Sequence, residues 1–102
     1  MIQLHWINGQ AVPKITCASC GEVISNAKQA GIVFRNFMNN GEITNVLYTH
    51  KNFVNGNCMA KAESVIRSDG GEPGWLELSE HLASLVDNVG LTAKDIERRL
   101  TM

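Results

Sequence analysis

Two cysteines separated by two residues constrain this chain more than any other feature of its sequence. The motif runs from Cys17 to Cys20 and is followed by Gly21, which permits a tight turn whose amide N–H groups point at the sulfur atoms. Two thiolates can hold one side of a zinc ion, but a structural zinc site takes four ligands. Any fold built on this motif must therefore bring further ligands to it from elsewhere in the chain.

The best candidates for those ligands are His50 and Cys58, which have seven residues between them. Cys58 is the third and last cysteine, and an odd number of cysteines suits a metal site better than a disulfide framework. A reducing compartment would also keep the thiols free to bind metal. We therefore expect one structural zinc ion bound by four residues: Cys17, Cys20, His50 and Cys58.

The fourth ligand has alternatives. The chain contains two further histidines, His5 and His81. His5 alternates with apolar residues on a predicted strand, and His81 lies on the polar side of a predicted helix, so both are expected to face solvent. An oxygen ligand or a water molecule in the fourth position would instead make the site catalytic.

The cysteine pair itself has other interpretations. A redox pair normally opens a helix after a strand, whereas Gly21 follows this one. Cysteines can also be buried, unreactive thiols. An iron–sulfur cluster usually takes four thiolates, and the chain has three. Zinc is the interpretation that these considerations favour.

Length predicts a single domain covering residues 1–102. Within it we expect a zinc-binding core at 15–68 and a C-terminal helical segment at 75–102. The chain is 44% hydrophobic and 19% charged, as in ordinary globular proteins. Because it has neither a secretion signal nor an apolar run approaching the roughly 20 residues of a membrane helix, we expect a soluble, cytoplasmic protein.

Two β-hairpins are predicted in the first half of the chain. In the first, Ile2, Leu4 and Trp6 alternate with polar residues, which predicts a strand with one buried apolar face, and Asn8-Gly9 favours the turn. The second hairpin joins residues 32–37 to residues 43–49 through a tight turn at positions 40 and 41. His50 would leave the second hairpin at the end of its returning strand.

Helices are predicted in the second half. Asn57 can cap a helix that begins at Cys58, so that the helix dipole would favour the Cys58 thiolate. Phe53 is expected to turn inward from the preceding loop. An apolar stripe predicts a long helix over residues 75–89, and Thr92 begins a last short helix.

The order of a Cys-x-x-Cys-Gly knuckle, a hairpin and a ligand pair ending at a helix resembles the treble-clef and zinc-ribbon group of small zinc-binding domains, including LIM-like modules. The resemblance covers roughly residues 15–68. It implies an α+β fold with Cys17 and Cys20 on the knuckle, His50 at the end of the hairpin and Cys58 on the helix. The seven residues between the last two ligands exceed the two to five that are usual in such sites.

The sequence favours a non-catalytic protein rather than an enzyme, because it contains neither a glycine-rich phosphate loop nor a Gly-x-Ser-x-Gly elbow. We expect a zinc-stabilised module that binds another protein or a second copy of itself. A zinc hydrolase that uses Glu22 or a nearby carboxylate as base is a further hypothesis, and it requires an open position on the metal.

The alternative function is that of a zinc-ribbon-like, nucleic-acid-binding regulator. A net charge of -1 and a pI near 6.3 argue against general binding to a phosphate backbone. The part of the chain before Cys58 is nevertheless slightly basic, and its basic residues would carry the contacts: Lys14, Lys28, Arg35 and Lys51.

Overall fold

The computed structural model describes residues 1–101, with side chains described as far as Glu97. Met102, the last residue of the predicted helical segment, lies outside the described residues. Residues 1–101 form six strands and three α-helices, in this order: β1 Ile2–Ile7, β2 Gln10–Thr16, β3 Val23–Ile24, β4 Ala30–Arg35, β5 Leu47–His50, α1 Cys58–Ser68, β6 Pro73–Glu77, α2 Leu78–Asn88 and α3 Ala93–Thr101. The predicted α+β class is therefore confirmed.

The first sheet has the order β1-β2-β3 and is antiparallel throughout. Asn8 and Gly9 have φ values of 50° and 78°, as a two-residue type I′ hairpin turn requires. The predicted first hairpin is thus confirmed. The prediction that its apolar face is buried was wrong, because Ile2, Leu4 and Trp6 are all exposed to solvent.

The second sheet has the order β5-β4-β6 and contains most of the core. The central strand β4 is buried over its first four residues, and Ile32 and Val33 are at most 2% exposed. Gly31 lies where an added Cβ would meet the Leu76 carbonyl oxygen at 2.8 Å, so a side chain there would push β4 and β6 apart. Helix α1 packs on this sheet through Met59 and Ala62.

The second predicted hairpin is correct in its pairing but wrong in its turn. β4 and β5 are antiparallel, with Ala30 opposite His50 and Val33 opposite Leu47. The connection is a loop over residues 36–46, so the predicted returning strand begins four residues later than expected. Asn40-Gly41 still forms a turn, with a φ of 87° at Gly41, but this turn lies inside the loop and not between paired strands.

The helix predicted over residues 75–89 was wrong at its start. Trp75 lies in strand β6, opposite Val33 of β4, and helix α2 begins only at Leu78. Pairing with the central strand thus overrides the helical periodicity that Trp75 shares with α2. The end of α2 is as expected, with Gly90 at a φ of 78°.

The last helix begins as the sequence predicts. The Asp95 backbone N–H donates to Thr92 Oγ1 at 3.2 Å, and the Thr92 N–H donates to an Asp95 carboxylate oxygen at 3.1 Å. This reciprocal pair is an acidic variant of the capping box. Among the described residues, no helix is both long enough and apolar enough to cross a membrane.

Candidate metal centre

The first two candidate ligands lie in a tight turn directly after β2. The Cys17 N–H donates to the Glu22 carbonyl at 2.8 Å, and the Gly21 N–H donates to the Cys17 carbonyl at 2.9 Å. Gly21 has a φ of 77°, a backbone conformation that glycine adopts without strain. The turn therefore places both cysteines at the end of the first sheet.

Strand β5 brings His50 to this turn, and both edges of β5 make backbone contacts. Ala30 of β4 pairs with His50, and the Ala18 N–H donates to the Tyr48 carbonyl at 2.7 Å. The hydrogen bond from Ala18 to Tyr48 ties the cysteine turn directly to β5. The sequence prediction that His50 stands at the end of this strand is confirmed.

Cys58 is the first residue of α1, as predicted. Asn57 occupies the capping position, but its side chain makes no capping hydrogen bond. Asn52 supplies that bond instead, because its side-chain oxygen accepts from the Ala60 N–H at 3.1 Å. The loop over residues 51–57 therefore folds back on the helix start. Phe53, expected to turn inward, is 92% exposed with a φ of 71°.

The four candidate ligands converge on one point. Their donor atoms, three Sγ atoms and a ring nitrogen of His50, all lie within 4.8 Å of one another. Cys20 Sγ is 3.4 Å from His50 Nδ1. A tetrahedral zinc ion with ordinary bond lengths holds two sulfur atoms about 3.8 Å apart and a sulfur and a nitrogen about 3.6 Å apart. The donor set and its spacing thus fit a Cys3His zinc site.

This cluster is enclosed by protein. Cys58, Cys17 and His50 are 0%, 3% and 8% exposed, and Cys20 is half-buried. All three cysteines are free thiols. The other two histidines lie outside the group: His5 is on the first hairpin, and the His81 ring contacts the Tyr48 ring at 5.8 Å. Of the chain's histidines, His50 alone belongs to the cluster.

Neighbouring polar groups form hydrogen bonds with Cys20 and Cys58. The Asn55 side-chain amide donates to Cys20 Sγ at 3.2 Å, and the Asn55 carbonyl accepts from Cys58 Sγ at 3.3 Å. Ser19 Oγ donates to the Cys58 carbonyl at 2.6 Å. Sequence reasoning missed both Asn55 and Ser19, although each lies within three positions of a predicted ligand.

The thiols of the metal-free cluster differ in acidity. Burial is the largest influence on Cys58 and, with the nearby sulfur atoms of Cys17 and Cys20, raises the pKa of Cys58 to about 12. Burial also acts to raise the pKa of Cys17, but backbone N–H groups, first those of Cys20 and His50, outweigh it and lower that pKa below its usual value. The expected lowering of the Cys58 pKa by the helix dipole is thus overridden.

The raised pKa of Cys58 reflects the cost of placing charged thiolates in this buried cluster. Three thiolates this close together repel one another, and burial removes the water that would otherwise stabilise them. A divalent cation at the centre would reverse both penalties, since a coordinating thiol is deprotonated outright. A bound cation would therefore have to displace the Cys58 proton, and the fit to a metal ion rests on the geometry of the four donor atoms.

Comparisons of the chain with protein families, with curated proteins and with solved structures found no significant match. The case for a metal centre therefore comes from the chain's own residues. The geometry supports a small metal-binding domain, and the resemblance to treble-clef and LIM-like modules remains a prediction.

Proposed function

We propose that this protein is a non-catalytic zinc-binding protein whose zinc is structural and whose role is to bind another protein chain. The observation that carries the zinc assignment is the convergence of Cys17, Cys20, His50 and Cys58 within 4.8 Å, and the interaction role is proposed because the sequence has no catalytic motif. Zinc is the preferred ion because a mixed set of thiolates and one imidazole, arranged tetrahedrally, is typical of structural zinc sites.

The number of protein ligands supports a structural rather than a catalytic ion. Catalytic zinc usually has three protein ligands and leaves the fourth position for water or substrate. Here four side chains can fill a tetrahedral shell. Glu22, the base of the hydrolase hypothesis, lies 3.5 Å from the Asn55 amide nitrogen, and with the shell filled by protein it has no metal-bound water to activate.

The arrangement also explains what a structural ion would do for this fold. The cysteine turn follows the first sheet, His50 ends a strand of the second sheet, and Cys58 begins the helix packed on that sheet. One ion bound by all four would join these three parts of the chain. Structural zinc contributes about 10 kcal/mol or more to the folding of small zinc-finger peptides.

Metal analysis of the reduced protein, with His50→Ala and Cys58→Ser variants, tests the proposal. We expect one zinc per chain in the unmodified protein and a large loss of zinc in each variant. His5→Ala is the matched control and should retain the metal, because His5 lies outside the cluster. Full zinc occupancy in the His50 and Cys58 variants would show that the metal binds elsewhere.

A further inference from the structure

Strand β1 has a free outer edge. It is the outermost strand of the first sheet, and within the described chain it pairs only with β2. Natural proteins protect such edges with charged side chains, proline or bulges, because an open edge can pair with another chain. The β1 sequence, IQLHWI, contains no proline and no Lys, Arg, Asp or Glu, and its pairing with β2 runs without a bulge.

The pairing with β2 determines which backbone groups of β1 face outward. Met1 and Thr16 exchange two hydrogen bonds, of 2.8 and 2.7 Å. In an antiparallel ladder such closely bonded pairs alternate with pairs that make no mutual bonds. Pro13, which has no N–H, lies opposite Leu4 in the alternate set. The N–H and C=O groups that point away from β2 therefore belong to Ile2, Leu4 and Trp6.

The same three residues also carry exposed apolar side chains, all on one face of the hairpin. Ile2, Leu4 and Trp6 are 55%, 66% and 78% exposed. Their partners across the hairpin extend the same face with further apolar side chains, which are Ile15, Pro13 and Ala11. The residues whose backbone groups point outward are therefore also residues with exposed apolar side chains, and none of them has a charged side chain.

We propose that β1 pairs with β1 of a second copy of this chain, antiparallel, about a two-fold axis at Leu4. Leu4 then lies opposite Leu4 of the second copy, and Ile2 lies opposite its Trp6. The outward groups of these residues form about six hydrogen bonds, and the two three-stranded sheets become one six-stranded sheet.

A second copy is favoured over another partner because the edge is complementary to itself. Pairing at Leu4 matches each outward N–H with an outward C=O, and it brings the bulky Trp6 beside the smaller Ile2 on the same face. The paired region is one strand of six residues in each copy, which is small beside the roughly 20–30 residues a side that standard interfaces contain. The dimer should therefore dissociate on dilution.

This inference names the partner in the interaction role proposed above and rests on that role, but it does not depend on the metal. Light scattering of the zinc-loaded protein across micromolar to millimolar concentrations should show the mass rising from 11.2 kDa towards twice that value. A monomer at every concentration would overturn the inference and leave the zinc proposal intact. A protein that dimerises but binds no zinc when zinc is supplied under reducing conditions would support the inference and contradict the zinc proposal.

The variant Leu4→Pro tests the edge itself. Proline removes the outward N–H at position 4 and no bond of the hairpin, because Leu4 makes none with Pro13. We expect at least tenfold weaker dimerisation, with unchanged circular dichroism and zinc content. Leu4→Ile and His5→Ala are matched controls and should dimerise normally. A Leu4→Pro protein that dimerises as tightly as the unmodified chain would refute the proposed pairing.

Amide hydrogen exchange provides a second test that does not depend on any variant. In dilute protein the amides of Gln3, His5 and Ile7, which bond to β2, should be protected, and those of Leu4 and Trp6 should exchange freely. At high concentration Leu4 and Trp6 should become protected too. Association that leaves these two amides unprotected would place the interface elsewhere and contradict the inference.

Discussion

The metal centre and the β1–β2 hairpin distribute polar and apolar side chains in opposite ways. At the metal centre, thiols and an imidazole are buried, with Cys58 at 0% and His50 at 8% exposure. On the hairpin, Leu4 and Trp6 are 66% and 78% exposed. One region encloses ionisable thiols and an imidazole, and the other exposes apolar groups that ordinarily avoid water.

The comparison shows that each region is incomplete by itself. Buried thiols close to one another ionise only with a cation beside them, because burial and mutual repulsion penalise their charged forms. An exposed apolar face with a free strand edge needs a surface to cover it. The two regions should therefore respond to different changes: the metal centre to the supply of zinc, and the hairpin to protein concentration.

Loss of zinc should have the largest effect on stability. It should also distinguish the two regions, because it acts on the metal centre. Chelation removes the ion that would join the sheets to α1, and Cys17→Ser removes one of its ligands. We therefore expect residues 15–68 to unfold, with a loss on the order of 10 kcal/mol. Thermal melting followed by circular dichroism measures this. A cysteine variant with an unchanged melting curve would contradict the structural role of the metal.

Two leucine substitutions should sharpen the contrast between core and hairpin. Leu78 is 2% exposed and packs in the core with Ala30 and Ile32, so Leu78→Ala should cost about 2–5 kcal/mol. Leu4→Ala removes an exposed side chain and should change the stability of dilute protein by less than about 0.5 kcal/mol. Urea unfolding of zinc-loaded protein compares them, and equal losses would show that the hairpin face is covered within the monomer.

Removal of the Asn55 side chain should weaken the metal site without removing a ligand. Its amide donates to Cys20 Sγ at 3.2 Å, and loss of such a contact typically lowers metal affinity 10–100-fold. Asn57→Ala is the matched control in the same loop, since the Asn57 side chain makes no capping bond. Competition with a chromophoric chelator measures both variants. Similar affinities for the two would mean that the Asn55 contact does not stabilise the thiolate.

Rising pH should lower the stability of the metal-free fold but raise the affinity of the protein for zinc. The pKa of Cys58 is raised to about 12 from 9.0, so its neutral thiol stabilises the metal-free fold below about pH 9, and that contribution is lost as the pH rises towards 12. Zinc binding must displace this proton, so affinity should fall about tenfold or more per unit as pH is lowered from 8 to 6. Chelator competition across that range measures it, and a flat profile would contradict thiolate binding at Cys58.

The sequence predicted turns and helix caps better than it predicted which side chains are buried. The Asn8-Gly9 turn and the Thr92–Asp95 cap were confirmed because both are set by neighbouring residues. The alternation of Leu4 and Trp6 showed that they share a face, but burial depends on what packs against that face. No local pattern could reveal that.

The metal cluster was predictable because few residues can bind zinc. Three cysteines and three histidines left a short set of combinations, and the position of His50 at a strand end selected among them. The partner of β6 was not predictable in this way, because Trp75 pairs with Val33 some forty positions earlier. Asn52 and Asn55 were missed for a similar reason, since their roles depend on how the loop folds back on α1.

X-ray absorption at the zinc edge of the reduced protein tests the central claim most directly, because it reports the atoms bound to the metal. We expect one zinc per chain with three sulfur atoms at about 2.3 Å and one nitrogen at about 2.0–2.1 Å. His50→Ala should lose most of its zinc, and any zinc that remains should show sulfur ligands without the nitrogen. A metal surrounded mainly by oxygen, or no bound metal, would contradict the account.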